Sequence, residues 1–328
     1  MKRFLEPFLL IIVLLFLVNL LLNFTLKKIA VPGRDGYGFI SPDAELGFYH
    51  NPSLSFRTQD KGRVWSDERG FRPCGTGNAS ADTVYVLGDS MIDLLVDNCK
   101  LPAAFMGGDS KDKRYISSGC MSFSTMQEYI LLKRIHQKYQ GKEFHIYVYT
   151  GNDLFQNTQG ISTLPVIRET DDGFELISPE KTRGIPITKR FILFSIIESY
   201  FFGKNEDDPS YWHDLMYGYT LDSMEENLDE MLNKTAFVLN LINEYSTAND
   251  ISVRYYIIPT SMEITSPNDE GAVKMARLRH AFIDILASHS ASFTDLTPVI
   301  NKVYEPGFYD PVNFHLTSDA WKKILGTH

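Results

Sequence analysis

Apolar residues recur along this chain in two rhythms. Short runs rich in Val, Ile, Tyr and Phe read as buried strands at 83–88, 114–118, 144–150, 252–258 and 292–296, the fourth ended by Pro259. Between them, apolar positions return every three or four residues, the spacing of a helix with one buried face. These stretches predict helices at about 90–97, 124–139, 222–249, 272–288 and 318–325, the second marked by Met126, Tyr129, Ile130 and Ile135. Strands that alternate with helices imply a parallel sheet with right-handed crossovers. The expected fold class is therefore α/β, a flavodoxin-like three-layer sandwich with a five-stranded parallel sheet.

Three regions depart from this rhythm. Residues 29–80 are rich in Gly, Pro and Asp, and predict an irregular extension packed on the main domain, with short hairpins around Gly47-Phe48-Tyr49 and Gly70-Phe71-Arg72. Residues 155–222 read as an insertion, with turns at 170–173 and 205–209 and a hydrophobic helix from Arg190 to Phe202 between them. Phe8 to Leu26 is an apolar run broken only by Asn19, Asn23 and Thr25. At ~1.5 Å per residue it is about 28 Å long, close to the hydrocarbon thickness of a bilayer. It ends in Asn23-Phe24-Thr25-Leu26-Lys27-Lys28, without the small residues of a cleavage site, so it reads as an uncleaved transmembrane helix rather than a signal peptide. The expected organisation is a cytoplasmic tail and anchor at 1–28, the extension at 29–80, and a catalytic domain at 81–328.

Composition narrows the partners. The 328 residues carry a net charge of −9 and are 44% hydrophobic. With no basic stripe and no reader motif, nucleic acid is excluded as a partner. Lys2 and Arg3 on one side of the anchor balance Lys27 and Lys28 on the other, so charge barely sets its orientation. There are three cysteines, Cys74, Cys99 and Cys120. Cys74 and Cys99 flank the first strand and its helix, and their pairing would require an oxidising compartment; three free thiols in a reducing cytosol are the alternative. The pairing favours a domain outside the cell membrane, in the periplasm of a bacterial host.

Four clusters with chemical potential fall at strand ends, where open α/β sheets place their sites. They are Gly88-Asp89-Ser90, Ser118-Gly119-Cys120, Gly151-Asn152-Asp153, and Asp310 with His315. A serine hydroxyl becomes a nucleophile when a base takes its proton, and His315 is the candidate base. Asp310 is the nearest acid to orient that imidazole. Asp89 and Asp153 read as turn carboxylates bonded to neighbouring backbone. Cys120 has no base of its own, and the remaining histidines match no metal-ligand spacing, so neither a metal nor another cofactor is expected. Tyr211-Trp212-His213 and Tyr217-Gly218-Tyr219 read as packed aromatics first, and as sugar-stacking platforms second.

Those four clusters, in that order, resemble the blocks of the SGNH hydrolase superfamily of GDSL-type esterases, named for Ser, Gly, Asn and His: here Ser90, Gly119, Asn152 and His315. The resemblance spans about Ala81 to Leu325, and Gly47-Phe48 and Gly70-Phe71-Arg72 look like the lead-in of membrane-anchored bacterial members. It implies an oxyanion hole formed by the backbone N–H groups of Ser90 and Gly119 and the side-chain amide of Asn152. The family's aspartate usually stands three residues before the histidine, where this chain has Val312; Asp310 stands five before. Either the loop brings Asp310 to His315 or a backbone carbonyl orients the ring. The expected function is a membrane-anchored serine esterase acting on acyl, foremost O-acetyl, groups of an envelope glycan or a related ester, with envelope-polysaccharide machinery as partner. An O-acyltransferase using the same residues, and a non-catalytic glycan-binding protein, are the alternatives.

Overall fold

The computed structural model describes residues 14, 17, 18, 40–57, 63–73, 82–93, 113–161, 163–180, 217–311 and 314–326. The extension contains two antiparallel hairpins. β1 (Ile40–Asp43) pairs with β2 (Gly47–His50), and β3 (Ser55–Arg57) pairs with β4 (Arg63–Trp65). Gly70-Phe71-Arg72 is not a hairpin. Asp67 Oδ1 accepts from the N–H groups of Arg69 and Phe71, and Gly70 turns the chain at φ +81°. A side chain on Gly70 would also meet the carbonyl of His50 at 2.9 Å. The turn delivers β5 (Arg72–Pro73) to the edge of the main sheet.

Among the described residues, that sheet has the five expected parallel strands and a sixth, antiparallel one at its edge. The parallel strands are β6 (Asp82–Gly88), β7 (Lys113–Ser117), β8 (Glu143–Tyr149), β11 (Ser252–Ile258) and β12 (Ser292–Asp295); β9 (Val166–Thr170) and β10 (Gly173–Ile177) form a separate hairpin inside the insertion, turning at the expected 170–173. The order is β5-β7-β6-β8-β11-β12, with only β5 antiparallel. The five parallel strands thus lie second, first, third, fourth, fifth, the flavodoxin-like order, and the direction of winding reverses between β6 and β8. β5 escaped the sequence reading because two residues are too few to show a period.

The helices are α1 (Ser90–Asp93), α2 (Thr125–Tyr139), α3 (Asp153–Gln156), α4 (Tyr219–Asn249), α5 (Ser261–Thr265), α6 (Glu270–Ser288), α7 (Thr297–Val303) and α8 (Ser318–Leu325). They cover both faces. β8 alternates Phe144, Ile146 and Val148 against His145, Tyr147 and Tyr149, so its two faces meet different helices. On the Phe144 face, α2 packs against β6 and β8, α4 packs beside α2, and α6 beside α4. On the other face, Trp321 of α8 lies edge-on to Tyr147, with ring centres 5.7 Å apart, and Tyr147 stacks on Tyr256 at 4.6 Å. All the parallel crossovers that advance across the sheet share one side, as right-handed connections require.

Among the described residues, no helix is long and apolar enough to cross a membrane. The expected anchor at 8–26 lies outside the described residues except for Leu14, Leu17 and Val18, as do the expected helix at 190–202, Cys74 and Cys99.

One buried ion cluster ties α5 and the end of β12 to α6. Arg279 Nε donates to Glu263 Oε1 at 2.8 Å and Arg279 Nη1 to Asp295 Oδ2 at 2.5 Å, with the Arg279 and Glu263 side chains only 6% and 3% exposed. Removing the guanidinium would leave Glu263 charged and buried. Arg279→Ala is therefore expected to lower stability by about 3–5 kcal/mol, measured by urea unfolding. A loss under ~1 kcal/mol would show the pair to be dispensable.

Candidate active site

Ser90 opens α1 immediately beyond β6, and His315 lies in the loop before α8. Although 225 residues apart, His315 Nε2 and Ser90 Oγ are 2.9 Å apart. His315 is buried and Ser90 half-buried. That is hydrogen-bond reach for proton transfer from a hydroxyl to an imidazole.

The loop carrying His315 is a narrow hairpin. Tyr309 and Leu316 form an antiparallel bridge, and Thr317 N–H donates to Phe308 O at 2.8 Å. Inside this neck, Asp310 N–H donates to His315 O at 2.9 Å and Phe314 N–H donates to Asp310 O at 3.0 Å. Phe314 adopts φ +58° to close the turn. The loop therefore sets Asp310 opposite His315 by backbone pairing despite the five-residue separation. Val312 lies outside the described residues.

Gly119 follows β7, where the ladder continues one step beyond the strand. Ser118 N–H donates to Val86 O at 2.8 Å and Cys120 N–H to Gly88 O at 3.0 Å. The intervening Gly119 N–H makes no hydrogen bond among the described residues. Gly119 is pressed on Gly88: a Cβ would sit 2.6 Å from the Gly88 carbonyl oxygen. Asn152 lies beyond the end of β8, the strand beside β6, and precedes α3; its carbonyl accepts from Gln156 N–H at 2.9 Å. The side chain is buried, with Oδ1 unpaired among the described residues. The four expected positions thus come from β6, β7 and β8 on one rim of the sheet, around the winding reversal, and from the loop that closes over it.

Asp89 and Asp153 are bonded to local backbone as expected. Asp89 Oδ1 accepts from Met91 N–H at 2.8 Å, and Asp153 Oδ2 from Tyr149 N–H at 2.8 Å. Asp89 Oδ2 also lies 3.2 Å from Ser90 Oγ. One hydroxyl proton can point to only one of Asp89 and His315 at a time. Burial pushes the Asp89 carboxyl up to about 7, against hydrogen bonds from Met91 and Ser90 that favour its charge.

Sequence reading missed a third buried acid. Glu128 of α2 is fully buried, and neither carboxylate oxygen has a partner among the described residues. The signal was present: Leu131, Leu132 and Ile135 follow Glu128 at helical spacing, so it falls on the buried face. Burial raises its carboxyl well above the ordinary value, with the charge of Asp89 adding to the effect. Burial does the same for Asp153, with Asp89 and Glu128 contributing. The region behind Ser90 therefore favours neutral acids.

A second cluster lies beneath α1. His50 Nε2 is 3.0 Å and Arg72 Nη2 2.7 Å from Asp93 Oδ1, while Met121 N–H donates to Asp93 Oδ2 at 2.8 Å. Burial would raise Asp93, but Arg72, His50 and the Met121 N–H outweigh it and hold the carboxyl at about 2. Ligand-type atoms of His50, Asp93 and Cys120 lie within 4.8 Å of one another. The guanidinium of Arg72 already supplies the positive charge there. Burial pushes the Cys120 thiol well up, away from the reactive thiolate.

A cavity of about 370 Å³ adjoins the His315 loop, bordered by Tyr217, Tyr304, Tyr309, Asp310 and Phe314. Tyr217 is buried with its ring 5.7 Å from Phe314, whereas Tyr219 is exposed and stacks on Phe155. Residues 211–213 lie outside the described residues.

No protein-family model matches this sequence, and no curated protein matches it. Solved structures that resemble the fold include an acetylxylan esterase from Geobacillus stearothermophilus, at 11% identity, TM-score 0.40, covering 76% of this chain and 92% of that one. A GDSL-like lipase from Bacteroides thetaiotaomicron aligns at 12% identity and TM-score 0.37 over 76% of this chain and 88% of its own. An esterase from Pseudoalteromonas sp. aligns at 12% identity and TM-score 0.35 over 74% of this chain and 92% of its own. At such scores these likenesses decide nothing about the activity, which is read from the residues themselves.

The buried acids make a pH prediction. In the folded protein Glu128 keeps a proton that the unfolded chain releases above about pH 4–5. Stability therefore falls as pH rises through and beyond that range. Glutamine cannot titrate, so the thermal midpoint of Glu128→Gln relative to wild type should rise between about pH 5 and pH 9. Parallel curves would show that Glu128 is ionised in the fold.

Proposed function

We propose that this chain is a membrane-anchored serine esterase of the SGNH/GDSL type, which removes acyl groups, acetyl foremost, from an envelope glycan or a related ester. The observation that carries the reading is the 2.9 Å contact between Ser90 Oγ and His315 Nε2, with a Gly119 N–H on the same rim that makes no hydrogen bond among the described residues. In this reading His315 Nε2 takes the hydroxyl proton as Ser90 Oγ attacks the ester carbonyl. The oxyanion is held by the N–H groups of Ser90 and Gly119 and the amide of Asn152; one such donor is worth about 10²–10³ in turnover. His315 then protonates the departing alcohol, leaving Ser90 acylated. Water, activated by the same imidazole, releases the acid and restores the hydroxyl. Asp310 orients the His315 ring and stabilises its protonated form.

The glycan assignment is supported by the cavity beside the His315 loop, where tyrosines alternate with Ser261, Ser266 and Asp269. Aromatic faces beside hydroxyl and carboxylate groups suit a sugar ring. The anchor assignment rests on the apolar run from Phe8 to Leu26, with the catalytic domain on the extracytoplasmic side.

The test is hydrolysis of a chromogenic acetate ester by the full chain in detergent. Ser90→Ala and His315→Ala should each lose about 10³-fold or more, because the pair acts as a unit. Ser90 should be labelled by a fluorophosphonate in the wild type and not in Ser90→Ala. Asp310→Asn should lose about 10²-fold or more; wild-type turnover would assign ring orientation to a backbone carbonyl instead. Wild-type activity in Ser90→Ala would end the esterase reading.

A further inference from the structure

Asp93 ends α1, three residues after Ser90, and is 2% exposed. Four groups converge on it from three separate stretches of chain. His50 Nε2, at the end of β2, and Arg72 Nη2, at the start of β5, share its Oδ1 at 3.0 Å and 2.7 Å. Arg72 Nη1 donates to its backbone carbonyl at 2.5 Å. Met121 N–H, two residues after Gly119, donates to Oδ2 at 2.8 Å. Tyr49, next to His50, donates its hydroxyl to Ser118 O at 3.1 Å, on the other side of Gly119. The extension is itself fastened to α2: Arg134 donates to both carboxylate oxygens of Asp43 at 2.7 and 2.8 Å, and Gln127 Nε2 donates to Leu46 O at 2.9 Å.

One carboxylate therefore indexes two loops against each other. Its Cα is carried by the helix that presents Ser90, and its Oδ2 holds the loop that presents Gly119. Its other oxygen is held by the extension, which stands on a helix of the main domain. We infer that Asp93, braced by His50 and Arg72, is a positioning residue that sets the separation between the Ser90 hydroxyl and the Gly119 N–H, and that the described extension, residues 40–57 and 63–73, is consequently part of the apparatus that positions the site rather than a cover on it. This inference rests on the esterase reading above. A carboxylate suits the task, because Oδ2 accepts from the Met121 N–H while Oδ1 pairs with the charge of Arg72 and with His50 on the other side. The arrangement has a consequence for kinetics. A shift of Gly119 relative to Ser90 leaves ester binding intact but misplaces the oxyanion, so the loss falls on kcat rather than KM.

The experiment uses the full chain in detergent and a chromogenic acetate ester, with Ser90→Ala as control. Asp93→Asn keeps the volume of the side chain but cannot accept from both sides. Its kcat should fall about 10²-fold, the loss that follows a misplacement of about 1 Å, with KM nearly unchanged. Because Asp93→Asn leaves Arg72 buried without its counter-charge and can fail to fold, His50 provides an independent arm. His50→Ala should lower kcat about tenfold at unchanged KM, and His50→Gln, which restores a donor toward Asp93, should recover most of it. Folded Asp93→Asn with wild-type kcat, or equal kcat in His50→Ala and wild type, would overturn the inference. So would loss of activity on chelation with recovery on adding zinc, which would make His50, Asp93 and Cys120 a metal site. An active Ser90→Ala would instead overturn the esterase reading itself.

Discussion

The contact on which the site depends is between two glycine backbones. Gly119 lies against Gly88 so closely that a methyl group would sit 2.6 Å from the Gly88 carbonyl oxygen. This approach extends the β6–β7 ladder past the end of β7, through Ser118 to Val86 and Cys120 to Gly88. It brings the loop after β7 to the point where β6 gives way to Ser90. Any side chain at 119 would force the strands' ends apart and separate the proposed oxyanion donor from the proposed nucleophile. The winding reversal between β6 and β8 then leaves a crevice beside this contact, and the hairpin carrying His315 closes over it.

Charge is distributed unevenly around that point. Behind Ser90, Asp89, Glu128 and Asp153 are all fully buried, and each is pushed toward its neutral form by burial, with the acids raising one another. Beneath α1, Asp93 is equally buried but ionised, because Arg72 and His50 stand against it. Two neighbouring acids, four residues apart in sequence, are thus shifted in opposite directions, Asp89 up to about 7 and Asp93 down to about 2. The difference lies in their partners and not in their exposure, since desolvation disfavours both charges alike. In the proposed mechanism, a negative charge beside Ser90 would oppose a developing oxyanion; one confined to the far end of α1 and matched by a guanidinium would not.

Much of the architecture was legible from the chain alone. The fourth strand and the last helix fell where the pattern placed them, and the other expected strands and helices shifted by one to three residues at their ends, apart from the helix after Ser90, of which only 90–93 are described; β5 and the short helices α3, α5 and α7 were not expected. The hairpin at Gly47 was legible from its glycine, but Gly70-Phe71-Arg72 looked like another and proved to be a turn feeding a sheet edge. The candidate residues Ser90, Gly119 and Asn152 were legible because each stands just beyond the end of a strand, and His315 because it precedes the last helix. Asp310 was less so: its spacing from His315 only makes sense once the loop is seen to fold as a hairpin.

What the sequence determined by itself was everything carried by short-range repetition: strand and helix periods, the apolar stretch near the amino terminus, and the order of Ser90, Gly119, Asn152 and His315. These follow from side chains a few residues apart sharing one face. Tertiary structure alone decided the contacts between distant stretches: which strands neighbour, that Ser90 and His315 meet, that no described group pairs with the buried Glu128, and that His50, Arg72 and Met121 converge on Asp93. No local pattern encodes these contacts, because they arise only when the packing of the sheet brings together groups the chain holds far apart.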